Sequence, residues 1–194
     1  PHYETILLES VLEAKKLGYN SVTVLELGVA GGNGIISLEK YKKKIEKLTN
    51  IEIKIYGFDL GEGLPEVNNK FDLPFFWRKG QYKVDKAKLE NVVSSKIFYG
   101  DIEKTILEFE KLNPKNISCI FFDLDLYTST KKFLKKLSSL EKYLTPRVYC
   151  YFDDVFSTYH WFNEHNGELL AIKEFNNENS NIKIGKSLDN INDF

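Results

Sequence analysis

Short apolar runs alternate with amphipathic stretches along most of the chain, and that alternation organises everything else. Ser21–Leu27 (SVTVLEL), Ile51–Phe58 (IEIKIYGF), Lys96–Tyr99, Ile117–Phe122 (ISCIFF) and Val148–Phe152 (VYCYF) read as strands. Between them, residues 3–17, 35–48, 85–94, 102–112, 129–143 and 167–177 carry apolar side chains at helical spacing, and Gly18 is a helix stop. Asn181–Gly185 reads as a final strand. Strands alternating with helices predict an α/β, Rossmann-like architecture: a mostly parallel sheet covered by helices on both faces. Residues 60–82 hold glycines, prolines and clustered aromatics, which predicts a long functional loop rather than a linker. The expectation is one domain over residues 1–194, with 1–20 an N-terminal helix and 60–95 a loop or lid over the site.

Composition narrows the options. Hydrophobic residues make up 42% of the 194 positions, enough for a packed core. The net charge of −1 offers no global field for nucleic acid or an anionic membrane. The lysines around 42–44 and 131–136 flank apolar residues at helical spacing and read as solvated helix faces. Cys119 and Cys150, both inside apolar strands, suit a reducing compartment, so cytoplasmic is the default. No apolar run reaches the roughly 18 residues of a membrane span. A first residue of proline rather than methionine leaves room for a removed leader. A homo-oligomer stays open.

The chemistry sits where the predicted strands end. Acids close each of them: Glu26, Asp59, Asp101, Asp123 and the pair Asp153-Asp154. Single acids there often cap helices, but five strand ends at once imply one crevice along the carboxyl edge of the sheet. After the first strand comes Glu26-Leu27-Gly28-Val29-Ala30-Gly31-Gly32-Asn33-Gly34. No lysine follows, as a phosphate loop requires, and Ala30 breaks a nicotinamide fingerprint counted from Gly28. The turn instead suits a cationic, phosphate-free nucleoside, which points to S-adenosylmethionine. Glu26, Gly28 and Gly32 would face it, Asp59 would accept from its ribose and Asp101 would lie at its adenine. Asp101 can equally cap the helix that follows.

Asp123-Leu124-Asp125 and Asp153-Asp154 follow two strands joined by a helical crossover. Paired strands would bring those ends within about 4.8 Å. Clustered carboxylates need a cation or a shared proton, and all-oxygen ligands favour Mg²⁺ or another hard dication. The expected ligands are Asp123, Asp153 and Asp154, with Asp123 also the proton acceptor. Strand alternation turns Asp125 away. His160 and His165 are alternative bases, and Trp77, Tyr82, Tyr159 and Trp161 candidate pocket walls. Two rival readings stand beside this one. A DxD-type glycosyltransferase would make Asp125 essential, and a binding module would hold a nucleoside without turnover.

From about Val24 to Phe175 the chain resembles the macrocin O-methyltransferase-like family of sugar O-methyltransferases. The matching positions are Glu26–Val29, then Asp59 with Glu62-Gly63-Leu64-Pro65. Trp77, Gly80, Tyr82 and Val84 follow, then Asp123–Thr130 and the paired aspartates. Ala30 and Gly31 stand where that family usually has Trp-Arg, Leu124 where it has glycine, and the region before Ser21 is shorter. The resemblance implies a class I methyltransferase fold and a dication at Asp123, Asp153 and Asp154. It further implies a small acceptor, sugar-like, whose neighbouring hydroxyls chelate the dication.

Overall fold

A computed structural model describes residues 2–155 and 162–187. Five parallel strands form one sheet in the order β3-β2-β1-β4-β5. They are β1 (Ser21–Leu27), β2 (Glu52–Asp59), β3 (Lys96–Tyr99), β4 (Ile117–Phe122) and β5 (Leu144–Phe152). Among the described residues six α-helices accompany them: α1 (His2–Lys16), α2 (Asn33–Thr49), α3 (Lys86–Glu90), α4 (Ile102–Glu110), α5 (Tyr127–Leu137) and α6 (Gly167–Glu178).

Central strands of such a sheet must be apolar on both faces, and β1 shows how this sequence manages it. Val22 and Val24 pack with Leu7 and Val11 of α1 and Ile35 and Leu38 of α2. Leu25 and Leu27 join the opposite cluster with Ile106 and Phe109 of α4 and Phe133 of α5. β4 is buried at all six positions. Pairing β1 with β2 on one side and β4 on the other puts the reversal of strand order between β1 and β4. A crevice opens at their carboxyl ends, the place where ligands bind in open α/β sheets.

The last expected strand is absent among the described residues. Ile182 and Ile184 pack on the core as a strand would, but residues 182–187 join no sheet. The Asn176 side chain takes the place of a neighbouring strand: its Nδ2 donates to the Ile184 carbonyl, and the Ile184 amide donates to its Oδ1. Among the described residues no helix is long and apolar enough to cross a membrane.

Candidate active site

The crevice begins with backbone. Gly28 adopts φ +88°, and a Cβ there would lie 1.8 Å from the Asp123 carbonyl oxygen, so only glycine lets the two strand ends meet. Its amide donates to the Phe58 carbonyl, and the Asp123 amide donates to the Leu27 carbonyl, which ties the ends of β2, β1 and β4 together. Gly32, also left-handed, begins α2.

Asp59 holds the glycine turn. Its Oδ2 accepts from the amides of Val29 and Ala30, both at 2.9 Å, and its Oδ1 from Gly61 at 2.6 Å. Three N–H donors leave this carboxylate well solvated by peptide, with lone-pair capacity left on the cleft side. Glu26 lies deeper, 1% exposed, and its Oε2 meets no donor. Its Oε1 occupies the space a Cβ at Gly34 would fill, with the Tyr3 ring of α1 alongside. Burial first, then the charges of Asp123 and Asp59, pushes the Glu26 carboxyl far above the usual range. A buried carboxyl with one oxygen left without a donor at this turn fits a cationic group.

At the other wall, carboxylate oxygens of Asp123, Asp125 and Asp154 all lie within 4.8 Å of one another. The expectation that Asp125 turns away is corrected here. Alternation lasts only as long as the strand, and the chain leaves β4 through a tight turn with Asp125 at φ +59° and the Leu126 amide bonded to the Leu124 carbonyl. That left-handed residue swings its carboxylate back onto Asp123. Asp153 instead is exposed and accepts from the Tyr151 hydroxyl at 2.7 Å.

Burial, reinforced by Asp153, Asp154 and Asp59, raises Asp123 to about 7. Asp125 and Asp154 are also raised, chiefly by burial and then by neighbouring carboxylates, and their side chains face each other. Asp154 Oδ2 is buried without a donor. Such a group holds together only around protons or a cation. Three convergent carboxylates, one of which carries an orphaned oxygen, fit a divalent ion.

Gly28, Ala30, Asp59, Leu60 and Asp123 line the cleft from the sheet side, and Gly63, Leu64, Pro65 and Tyr82 from the long loop. That loop is pinned twice. The Leu64 amide donates to the Gln81 carbonyl and the Gly80 amide to the Leu64 carbonyl. Farther along, buried Asp72 accepts from both the amide and the hydroxyl of Thr128, closing the first turn of α5. Tyr82 stands half-exposed beside Asp125, whose charge helps raise its hydroxyl after desolvation. Trp77 is buried against Phe76, so it serves the loop's own core more than an open wall. Asp101 caps α4 through the Glu103 amide and pairs with Lys132 at 2.7 Å. His165 is exposed near Glu164 and is not among the cleft residues. His160, Tyr159 and Trp161 lie outside the described residues.

Three site residues escaped sequence reasoning. Tyr3 looks like an ordinary first-turn residue of α1, Asp72 like a loop acid, and Glu168 like an acid placed for the α6 dipole. Glu168 is fully buried, and burial followed by the charge of Asp154 pushes its carboxyl far up. A shallow groove of about 700 Å³ between α1 and α2 is ringed by Lys40, Lys43, Lys44 and Lys47, with neither glycine turn nor clustered acids.

No family model matches the chain, and no curated protein does. Solved structures do. A crystal structure of CalS11, a calicheamicin methyltransferase, superposes with a TM-score of 0.66 at 24% identity, covering 88% of this chain and 69% of that one. The apo structure of CalS11, described as a TDP-rhamnose 3'-O-methyltransferase, gives 0.57 at 22%, over 89% and 70%. With five parallel strands, helices on both faces and these likenesses, the chain has the class I methyltransferase fold.

Proposed function

We propose that this chain is an S-adenosylmethionine-dependent O-methyltransferase acting on a hydroxyl of a sugar or similar small molecule, with a divalent cation assisting. The observation that carries the reading is the combination of buried Glu26, whose Oε2 lacks a donor, packed against the glycine turn, with the Asp123–Asp125–Asp154 cluster at the neighbouring strand end. The likeness to CalS11 supports it by architecture.

Glu26 would balance the donor's positive charge, the Gly28–Gly32 turn would admit its body close to backbone, and Asp59 would keep that turn in shape. Asp101, already bonded to Lys132, would border its base. Asp123 and Asp154 would hold the dication; in this geometry Asp125 completes the set, and Asp153 stands next to it. Bound S-adenosylmethionine supplies an activated methyl group, and a bound dication lowers the pKa of a hydroxyl it touches. What remains for the chain is alignment and proton removal. Asp123, on the wall where the dication would sit and lining the cleft, is placed to take the acceptor's proton.

Calorimetry with S-adenosylmethionine, S-adenosylhomocysteine and NAD, each with and without Mg²⁺, tests this. Both sulfur nucleosides should bind and NAD should not; the reverse pattern overturns the reading. The approach of Asp125 to Asp123 is also what a DxD glycosyltransferase needs, so a nucleoside-diphosphate sugar belongs in the same series. Metal-dependent binding of that sugar without either sulfur nucleoside would favour the rival.

A further inference from the structure

We infer that Glu168, on the first turn of α6, is the positioning residue that sets the acid cluster's geometry for a dication; this rests on the metal reading above. Its side chain has no solvent exposure and points at the backbone behind the cluster. Oε2 accepts from the Asp154 amide at 3.3 Å, and Oε1 lies 3.5 Å from the Thr130 hydroxyl. The Leu124 amide also lies near enough to favour the charged carboxylate. Those three partners belong to the turn after β5, to α5 and to the turn after β4.

One side chain therefore joins the turn that carries Asp154 to α5, the helix that follows the Asp123–Asp125 turn, with the Leu124 amide of that turn close by. Both carboxyl oxygens lie within hydrogen-bond distance of a partner, and the Thr130 hydroxyl, which can donate or accept, suits the group with or without its proton. Glu168 touches none of the reacting atoms. It acts through the peptides on either side of it, as groups behind metal ligands commonly do.

Reach and charge separate cleanly. Glu168→Asp keeps the carboxyl group and both oxygens but is one methylene too short to reach the same partners. Glu168→Gln keeps the reach; its amide oxygen can face the backbone donors while the Thr130 hydroxyl rotates to accept from the amide nitrogen. Mn²⁺ titration followed by electron paramagnetic resonance, with S-adenosylmethionine affinity measured in parallel, reads the outcome. Glu168→Asp should weaken Mn²⁺ by about tenfold or more, Glu168→Gln by less than about threefold, and donor affinity should hold in both.

Unchanged Mn²⁺ affinity in Glu168→Asp overturns the inference, as does a loss in Glu168→Gln equal to or above that in Glu168→Asp. Parallel loss of donor affinity also overturns it, because it marks a general fold defect. If the unaltered protein binds no Mn²⁺, the metal reading itself fails, and this inference with it.

Discussion

The two walls of the cleft are both built from carboxylates at strand ends, yet they are finished in opposite ways. Asp59, on the β1–β2 side, has three backbone amides on its oxygens. Asp123, Asp125 and Asp154, on the β4–β5 side, crowd one another, and Asp154 Oδ2 has no donor at all. Peptide dipoles satisfy the first wall within the protein; the second is left to protons or to an ion from solution. The same residue type thus makes a fixed frame in one place and a receptor in the other.

The sharpest way to break this contrast is at the joint between the walls. Gly28→Ala would force a left-handed alanine into the Asp123 carbonyl, with an expected loss of roughly 4 kcal/mol or more. That corresponds to a melting-temperature fall of roughly 10 °C; a shift below about 2 °C would show that the strand ends are not so tightly joined. Next in size, Asp123→Asn or Asp154→Asn should cut Mg²⁺-dependent methyl transfer about 100-fold or more while donor affinity by calorimetry holds. Asp153→Asn, whose carboxylate is bonded to Tyr151, should cost less than about tenfold. Equal losses at Asp153 and Asp154 would move the ion outward from the cluster described here.

Acidity offers a third handle. The folded chain keeps a proton on Asp123 up to about pH 7, whereas an unfolded aspartate releases it near 4. The native state therefore binds more protons across that window, and stability of the metal-free protein should fall as pH rises from about 4 to 7 and then level off. Melting curves should drop by several degrees over that range, and Mg²⁺ should recover most of the loss at pH 8. A metal-free protein that gains stability over the same range would refute the protonated cluster. The smallest effect belongs to the amide-satisfied wall: Asp59→Asn forfeits one acceptor and should cost about 1–2 kcal/mol by thermal melt, with Mn²⁺ affinity unmoved.

Much of this was legible in the sequence because it is local. Ser21–Leu27 and Ile117–Phe122 are strands to the residue, since each is a short apolar run closed by an acid. The glycine turn and the acids at strand ends were visible for the same reason. Asp125 was misjudged because period-two alternation says nothing about a left-handed turn one residue beyond the strand. Asn181–Gly185 has the right alternation but meets an asparagine side chain instead of a neighbouring strand. Asp72 and Glu168 bind partners 56 and 14 residues away, and no periodicity encodes such contacts.

The hydrogen bond from the Asp123 amide to the Leu27 carbonyl, with Gly28 pressed on the next oxygen, acts as a gauge. It places the Glu26–Asp59 wall and the Asp123–Asp125 wall one strand spacing apart. On the proposed reading, loop sequence can then vary around the cleft without resetting the distance a transferred methyl group would travel.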